Sequence, residues 1–433
     1  MMIADHAAPV VPVLRQQAIA LFREGVAASD PERAVTSALA GRLDAIAAAR
    51  RVILIAFGKA ACLMTRAALP FVRDKLHCAH AVTNQENLED IEGVHVIAGG
   101  HPLPNEGSIA GAYAIERAAR AAEPGDLLLV LVSGGGSALI CAPAPGLSLA
   151  DKIALNDALI RCGAEINEIN AVRRRFSRLK GGRLAQLATG ARILSLILSD
   201  VPGDDVGTIA SGPTAQPSAM ATEILTILDR YGLRDSLPAT IRSQVDHLVR
   251  DQAKEFDHVE NVIIGSNSIS LERVVKSARA SYPIVVKAGD WLSGDVSEVA
   301  ETMHRRAIDA SNQCGGPIAI VAGGEPTVRV TGTGIGGRNQ ELVLRFALRN
   351  ELTAIKRPWV FLSGGTDGRD GPTDAAGGIV DPSSTSRMRN IGCNPRALLE
   401  NNDSYRALDS SGDLLITGAT GTNVADLQIL LMR

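Results

Sequence analysis

Aromatic side chains are scarce, at 3% of 433 residues against 46% hydrophobic residues overall. The cores must therefore be filled by Ala, Val, Ile and Leu, and 42 glycines supply the tight strand-to-helix turns that α/β layering needs. The six cysteines (Cys62, Cys78, Cys141, Cys162, Cys314, Cys393) show no C-x-x-C spacing, so neither a zinc site nor a disulfide framework is indicated, and reduced thiols in a cytoplasmic protein are the simplest account. No long run of one charge occurs and the net charge is −3, which gives no electrostatic footprint for nucleic acid or a membrane surface. No apolar run approaches a transmembrane helix, and Met1 to Val13 lacks the features of a signal peptide. Also missing are the P-loop pattern, the protein-kinase motifs, a G-x-S-x-G elbow and H-E-x-x-H. Those absences exclude a P-loop enzyme and remove support for serine hydrolysis and zinc proteolysis.

What is present is a repeated unit: an apolar strand running into glycines with Ser, Thr, Asp, Glu or Lys. Arg51–Phe57 reads as a buried strand ending at Gly58-Lys59, which sets a cation where open α/β sheets bind ligands. Leu127–Val132 runs into Ser133-Gly134-Gly135-Gly136-Ser137, a loop whose backbone N–H groups can form an anion nest. Arg192–Leu198 delivers Asp200, Asp204 and Asp205, which would repel one another without a cation or a shared proton. A helix spanning Glu168–Leu187 places Asn170, Arg173, Ser177 and Lys180 on one polar face.

At 433 residues two domains are expected. We place them at 1–245 and 246–433, with a second domain opening on strand Val259–Ile264. There, Ile318–Ala322 leads to Glu325, and Val328–Thr331 is expected to be a strand feeding Gly332, Gly334, Gly336 and Gly337. The helix that follows begins at Arg338, Asn339, Gln340 and Glu341, and its unpaired N–H groups would make an anion site. Trp359–Leu362 repeats the design, feeding Ser363-Gly364-Gly365 and Asp367.

Stacked at strand ends, these loops supply backbone donors, carboxylates and cations, an inventory suited to phosphoryl transfer, where positioning and charge neutralisation supply most of the rate. A competing reading makes Gly332–Gly337 a dinucleotide fingerprint, with Glu351 reaching a ribose.

The stretches FGKA (Phe57–Ala60), GHPLP (Gly100–Pro104), LVSGGGSAL (Leu131–Leu139) and EINAVRRRFSRLKGGRLA (Glu168–Ala185) resemble the glycerate 2-kinase family, whose C-terminal region is called MOFRL. So do LSDVPGDD (Leu198–Asp205), IASGPT (Ile209–Thr214), GGEPTV (Gly323–Val328), GRNQEL (Gly337–Leu342), SGGTDGRDGPTDAAG (Ser363–Gly377) and TGTN (Thr420–Asn423). The resemblance implies a larger N-terminal Rossmann-like domain with a parallel sheet, a smaller C-terminal α/β domain with MOFRL at about 318–427, and an active site in the cleft between them. It implies transfer of phosphate from ATP, with Mg²⁺, to the 2-hydroxyl of D-glycerate, in a cytoplasmic enzyme with room for a homodimer. Carried over, Lys59 and Arg338 act on the transferring phosphate, and Asp200 and Asp367 do metal or proton work. Ser133, Gly134, Gly135, Gly136, Ser137, Gly334, Gly336 and Gly337 contact phosphate or nucleotide, and Asn170, Arg173, Ser177, Lys180, Glu325, Asn339 and Glu341 either contact substrate or support the residues that do, the last three with no assigned step. Arg174-Arg175 departs from the Lys-His pair common in the family, keeping charge but removing an imidazole. Family members are also labelled hydroxypyruvate reductases, which would need NAD(P)H.

Overall fold

The computed structural model describes residues 10–188, 190–217, 221–234, 236–248, 255–289 and 291–433. Parts of the stretch expected to be helical and polar between Ser218 and Phe256 lie outside them. The chain forms two compact units, one of Pro31–Ile264 and one of Met1–Asp30 with Gly265–Arg433.

In the first unit the strands are β1 (Val52–Phe57), β2 (Leu76–Asn84), β3 (His95–Gly99), β4 (Leu127–Val132), β5 (Arg192–Ser199) and β6 (Val259–Ser266). They lie in the order β3-β2-β1-β4-β5-β6, with β1 parallel to β2 and β4, β2 to β3, and β4 to β5. The continuous apolar runs are explained by burial on both faces. Ile53, Ile55 and Phe57 join Leu128, Val130 and Val132 in one core, whereas Leu54 and Ala56 join Leu127, Leu129 and Leu131 in the other. Such a Val, Leu or Ile contributes roughly 1.5–3 kcal/mol when fully buried. This strand order reverses direction between β1 and β4, and the carboxyl ends of that pair are where doubly wound sheets bind ligands.

The second unit is built on a mixed sheet of β7 (Ile284–Lys287), β8 (Ile318–Gly324), β9 (Trp359–Gly365), β10 (Gly377–Val380), β11 (Leu414–Leu415) and β12 (Asp426–Met432). The order is β11-β10-β9-β12-β8-β7, with β12 antiparallel to both β8 and β9. The helix Val10–Ala28 packs Leu14, Ala18, Leu21 and Phe22 into this unit's core. Its Arg15 pairs with Asp381 at 2.6 Å and Asp413 at 2.9 Å.

Several expectations need correcting. The boundary falls at Asp30/Pro31 and Ile264/Gly265 rather than at 245/246. The strand at Val259 closes the first sheet beside β5 instead of opening the second, because Val262 and Ile264 pack on the core formed by β1 and β4. Residues 328–331 form no strand, since Arg329, Val330 and Thr331 are exposed and pair with no ladder. The helix expected over Glu168–Leu187 is broken: Ile166–Arg175 and Arg183–Leu187 are separate helices, parted by Gly181 and Gly182 at φ 61° and 82°. Asn170 and Arg173 are thus on a helix, while Ser177 and Lys180 are on the turn after it. Three strands, β2, β10 and β12, were not anticipated.

Candidate active site

In the first unit the loops after β1 and β4 interlock. Lys59 N–H donates to Gly134 O at 2.9 Å and Ala60 N–H to Ser133 Oγ at 3.0 Å. Gly58, at φ 124°, is required here, because a Cβ would lie 2.1 Å from Ser133 Oγ. A Cβ at Gly134 would lie 2.4 Å from Asp200 Oδ2, and one at Gly135 would meet His101 at 3.0 Å and Lys59 Cγ at 3.4 Å. Lys59, His101 and Asp200 therefore all close on the SGGGS loop.

That loop opens onto a cavity of about 790 Å³ whose lining includes His101, Ser137, Asn170, Arg173, Asp200 and Ser211. Asp205 also lines it, but its carboxylate caps a turn, accepting from Gly207 N–H at 3.1 Å and Thr208 Oγ–H at 2.6 Å. The expected three-carboxylate cluster is thus dispersed, and Asp200 is the member beside the glycine loop. Burial, then the neighbouring Lys59 charge, holds His101 below its ordinary pKa. Arg173 is also lowered by burial.

Behind Ser137 sits Lys180, 4% exposed. Its Nζ is 2.7 Å from Ser137 O and 2.9 Å from Ser137 Oγ, and Ser137 Oγ is 2.9 Å from Ser211 Oγ. Burial, with Lys152 and Arg173 nearby, pulls the Lys180 pKa well down. Ser177 accepts from Leu179 and Lys180 N–H at 3.3 Å each, so it shapes the turn that presents Lys180 and does not line the 790 Å³ cavity.

In the second unit Arg338 is clamped. Its Nε and Nη2 donate to the two oxygens of Asp426 at 2.6 and 2.9 Å, and Nη1 donates to Glu325 at 2.9 Å. Burial alone would lower the guanidinium pKa, yet Asp426 and Glu325 outweigh it and raise it. The start of the helix Arg338–Leu352 is already occupied by a carboxyl group: Asp370 accepts from Gln340 N–H at 2.8 Å and Asn339 N–H at 3.2 Å. Burial and Asp426 push Asp370 up to about 7. Nor are the N–H groups of the preceding loop open, as expected. Gly332 donates to Asn402 at 2.9 Å, Thr333 to Asn401 at 3.1 Å, Gly334 to Asn401 at 2.9 Å and Ile335 to Asp403 at 3.2 Å. A Cβ at Gly336 would strike Ser404 and one at Gly337 would strike Asp370, so these glycines permit close packing. Asn339 bonds Ser363 and Asp370, and buried Glu341 holds Arg345 at 2.9 Å and Asn402 at 3.1 Å, both as parts of the internal network. Asp367 is half-buried and accepts Arg369 N–H at 3.0 Å. Glu351 pairs with Arg389 at 2.9 Å.

Sequence reasoning thus missed His101, Ser211, Asp370 and Asp426. His101 stood in the GHPLP turn after β3, and Ser211 in the IASGPT turn. Asp370 lies three residues beyond the chosen Asp367, and Asp426 opens the unread strand β12.

Fold and site together define a two-unit α/β protein with a polar, cation-bearing cavity at the switch point of a doubly wound sheet. Residues 17–246 match the family described as Domain of unknown function (DUF4147), and residues 318–426 match the MOFRL family. The chain is 37% identical to D-glycerate 2-kinase of Thermotoga maritima over 428 residues, 97% of this chain and 98% of that protein. It is 39% identical over 391 residues to an Agrobacterium vitis protein bearing a hydroxypyruvate reductase name, covering 88% and 99% of the two chains. The crystal structure of a Thermotoga maritima glycerate kinase superposes with a TM-score of 0.89 at 36% identity, covering 98% of this chain and 100% of that one. The chain belongs to the glycerate 2-kinase family.

Proposed function

We propose that this chain transfers the terminal phosphoryl group of ATP to the 2-hydroxyl of D-glycerate, giving 2-phosphoglycerate and ADP. The observation that carries this reading is the approach of Lys59 and Asp200 to the SGGGS loop, beside a cavity that Asp200, Arg173 and Asn170 line. In this reading the loop and Lys59 receive the transferring phosphate, where a fixed cation stabilises charge as it spreads over the equatorial oxygens. Arg173, with its forked donors, suits the carboxylate of glycerate, and Asn170 a hydroxyl. In the second unit, Arg338, with its orientation set by Asp426, adds a further cation to turnover.

Mg²⁺ enters as part of its complex with ATP. Among the described residues no group of three or more His, Cys, Asp or Glu side chains could hold a metal. That fits Mg²⁺, which keeps water and phosphate oxygens and takes only one or two carboxylates. Asp200, on the cavity wall, is the carboxylate we assign to that role. Asp367, one of whose oxygens accepts Arg369 N–H, is the second carboxylate we assign to it. The bound ion would neutralise phosphate charge.

The nicotinamide reading loses support from the Gly332–Gly337 loop, whose donors at Gly332, Thr333, Gly334 and Ile335 are engaged by residues 401–403, and from Asp370 at the helix start. A pyrophosphate would meet a carboxylate there. The test measures ADP release with D-glycerate and Mg·ATP beside NADH or NADPH oxidation with hydroxypyruvate. Glycerate-dependent ADP release without nicotinamide oxidation supports the kinase, and the reverse pattern overturns it.

A further inference from the structure

Lys180 has an unusual environment for an ammonium ion. It is buried, and its hydrogen-bond partners among the described residues are the carbonyl and hydroxyl oxygens of one residue, Ser137. The charged and titratable groups facing it are Lys152 on the helix Leu149–Arg161, Arg173 on the helix Ile166–Arg175, and the Cys141 thiol. Two of these three are cations. An ammonium ion buried beside cations and without a carboxylate is costly. A neutral amine suits the geometry: one N–H donates to Ser137 O, and the lone pair accepts from Ser137 Oγ–H. From Ser137 the chain of contacts continues to Ser211 Oγ, on the cavity wall.

The segment carrying Ser211 is held in place at some conformational cost. Ala210 and Ser211 both have left-handed backbones, at φ 49° and 65°, a conformation that non-glycine residues adopt only when their surroundings enforce it. Gly181 N–H bonds Ser211 O at 3.0 Å and Gly182 N–H bonds Gly212 O at 2.7 Å, tying the turn after Lys180 to the same segment. Both ends of the hydroxyl chain are therefore fixed to one another.

Resting on the kinase reading above, we propose that Lys180 is the terminal acceptor of the proton lost by the substrate hydroxyl, reached through Ser211 and Ser137. As the substrate oxygen forms its bond to the γ-phosphorus, the bond from that phosphorus to the β-phosphate bridging oxygen breaks, and its electron pair leaves with ADP. The substrate proton passes to Ser211 Oγ, the Ser211 proton to Ser137 Oγ, and the Ser137 proton to Lys180 Nζ. The ammonium so formed returns its proton along the same hydroxyls after product leaves. The lowered pKa of Lys180, caused by burial and the neighbouring cations, favours the neutral amine that this path needs.

The test uses the full chain, with D-glycerate and Mg·ATP turnover followed from about pH 5.5 to about 9.5, the range over which a tuned base titrates. Lys180→Met and Lys180→Arg should each lower kcat by at least about a hundredfold, within the range of general-base effects. KM values should stay within about threefold, as expected when ground-state binding is untouched. The residual activity of Lys180→Met should lack the acid limb of the wild-type profile. Ser211→Ala, a small change that leaves Lys180 packed, should lower kcat by at least about tenfold, one step of the proton path. High activity in Lys180→Arg would assign Lys180 a purely cationic role and overturn the proposal. So would unchanged kcat in Ser211→Ala, or an intact acid limb in Lys180→Met, which would move the base to His101 or Asp200. Failure of the wild type to phosphorylate glycerate would instead remove the kinase reading itself.

Discussion

Asp426 presents both carboxylate oxygens to Arg338, at 2.6 and 2.9 Å, from the first residue of the central strand β12. Asp426 is fully buried, whereas Arg338 is partly exposed and also reaches Glu325. Strand and helix are thereby locked together, and the guanidinium has one orientation.

Arg338→Ala is therefore expected to do two things. It should lower kcat by at least about a hundredfold, the scale of one lost charge contact in a transition state. It should also cost about 3 kcal/mol of stability, because Asp426 is left buried without its partner. Both tryptophans, Trp291 and Trp359, lie in the second unit, so intrinsic fluorescence during urea unfolding reads the stability term separately. Loss of stability with normal turnover would make the pair purely structural.

Gly134→Ala tests the place of Asp200. The added methyl would lie 2.4 Å from Asp200 Oδ2, so the carboxylate must move. We expect a higher Mg²⁺ concentration for half-maximal activity and a reduced kcat, with the thermal midpoint little changed. An unaltered Mg²⁺ dependence would argue against Asp200 as a metal ligand.

Lys59→Ala is expected to reduce kcat by at least about a hundredfold while circular dichroism and the melting profile persist, since the Lys59 loop is held through its backbone N–H to Gly134 O. Near-normal turnover would remove Lys59 from the mechanism.

Acid stability should depend on Asp381. Burial alone would raise its pKa, but Arg387 and Ser383 win and lower it to about 2. Because the folded value is below the unfolded value of about 3.9, the stabilisation is fully present above about pH 4 and is lost as pH falls towards 2. Asp381→Asn should be less stable at pH 6 and show a flatter dependence of its unfolding midpoint between pH 4 and 2. Equal slopes for the two proteins would contradict this assignment.

Much of the first unit was legible because its strands are buried on both faces and read as unbroken apolar runs, as Leu127–Val132 does. The loops after β1 and β4 could be recognised from Lys59 and the SGGGS run, and they meet in space. Less legible was β2, whose alternating exposure at Leu76–Ala81 dilutes the apolar signal. The polar spacing of Asn170, Arg173, Ser177 and Lys180 imitates a helical stripe, yet the helix stops at Arg175, and Ser177 leaves it to bridge Pro143. Residues that cap or clamp, such as Asp370 and Asp426, have no local signature, because their partners are 30 to 88 positions away.

Phosphorus NMR of the product formed from D-glycerate and Mg·ATP tests the central claim most directly. A phosphomonoester resonance coupled to the single proton on C2 is the predicted result. Coupling to the two protons on C3, or no phosphorylated glycerate at all, would contradict it.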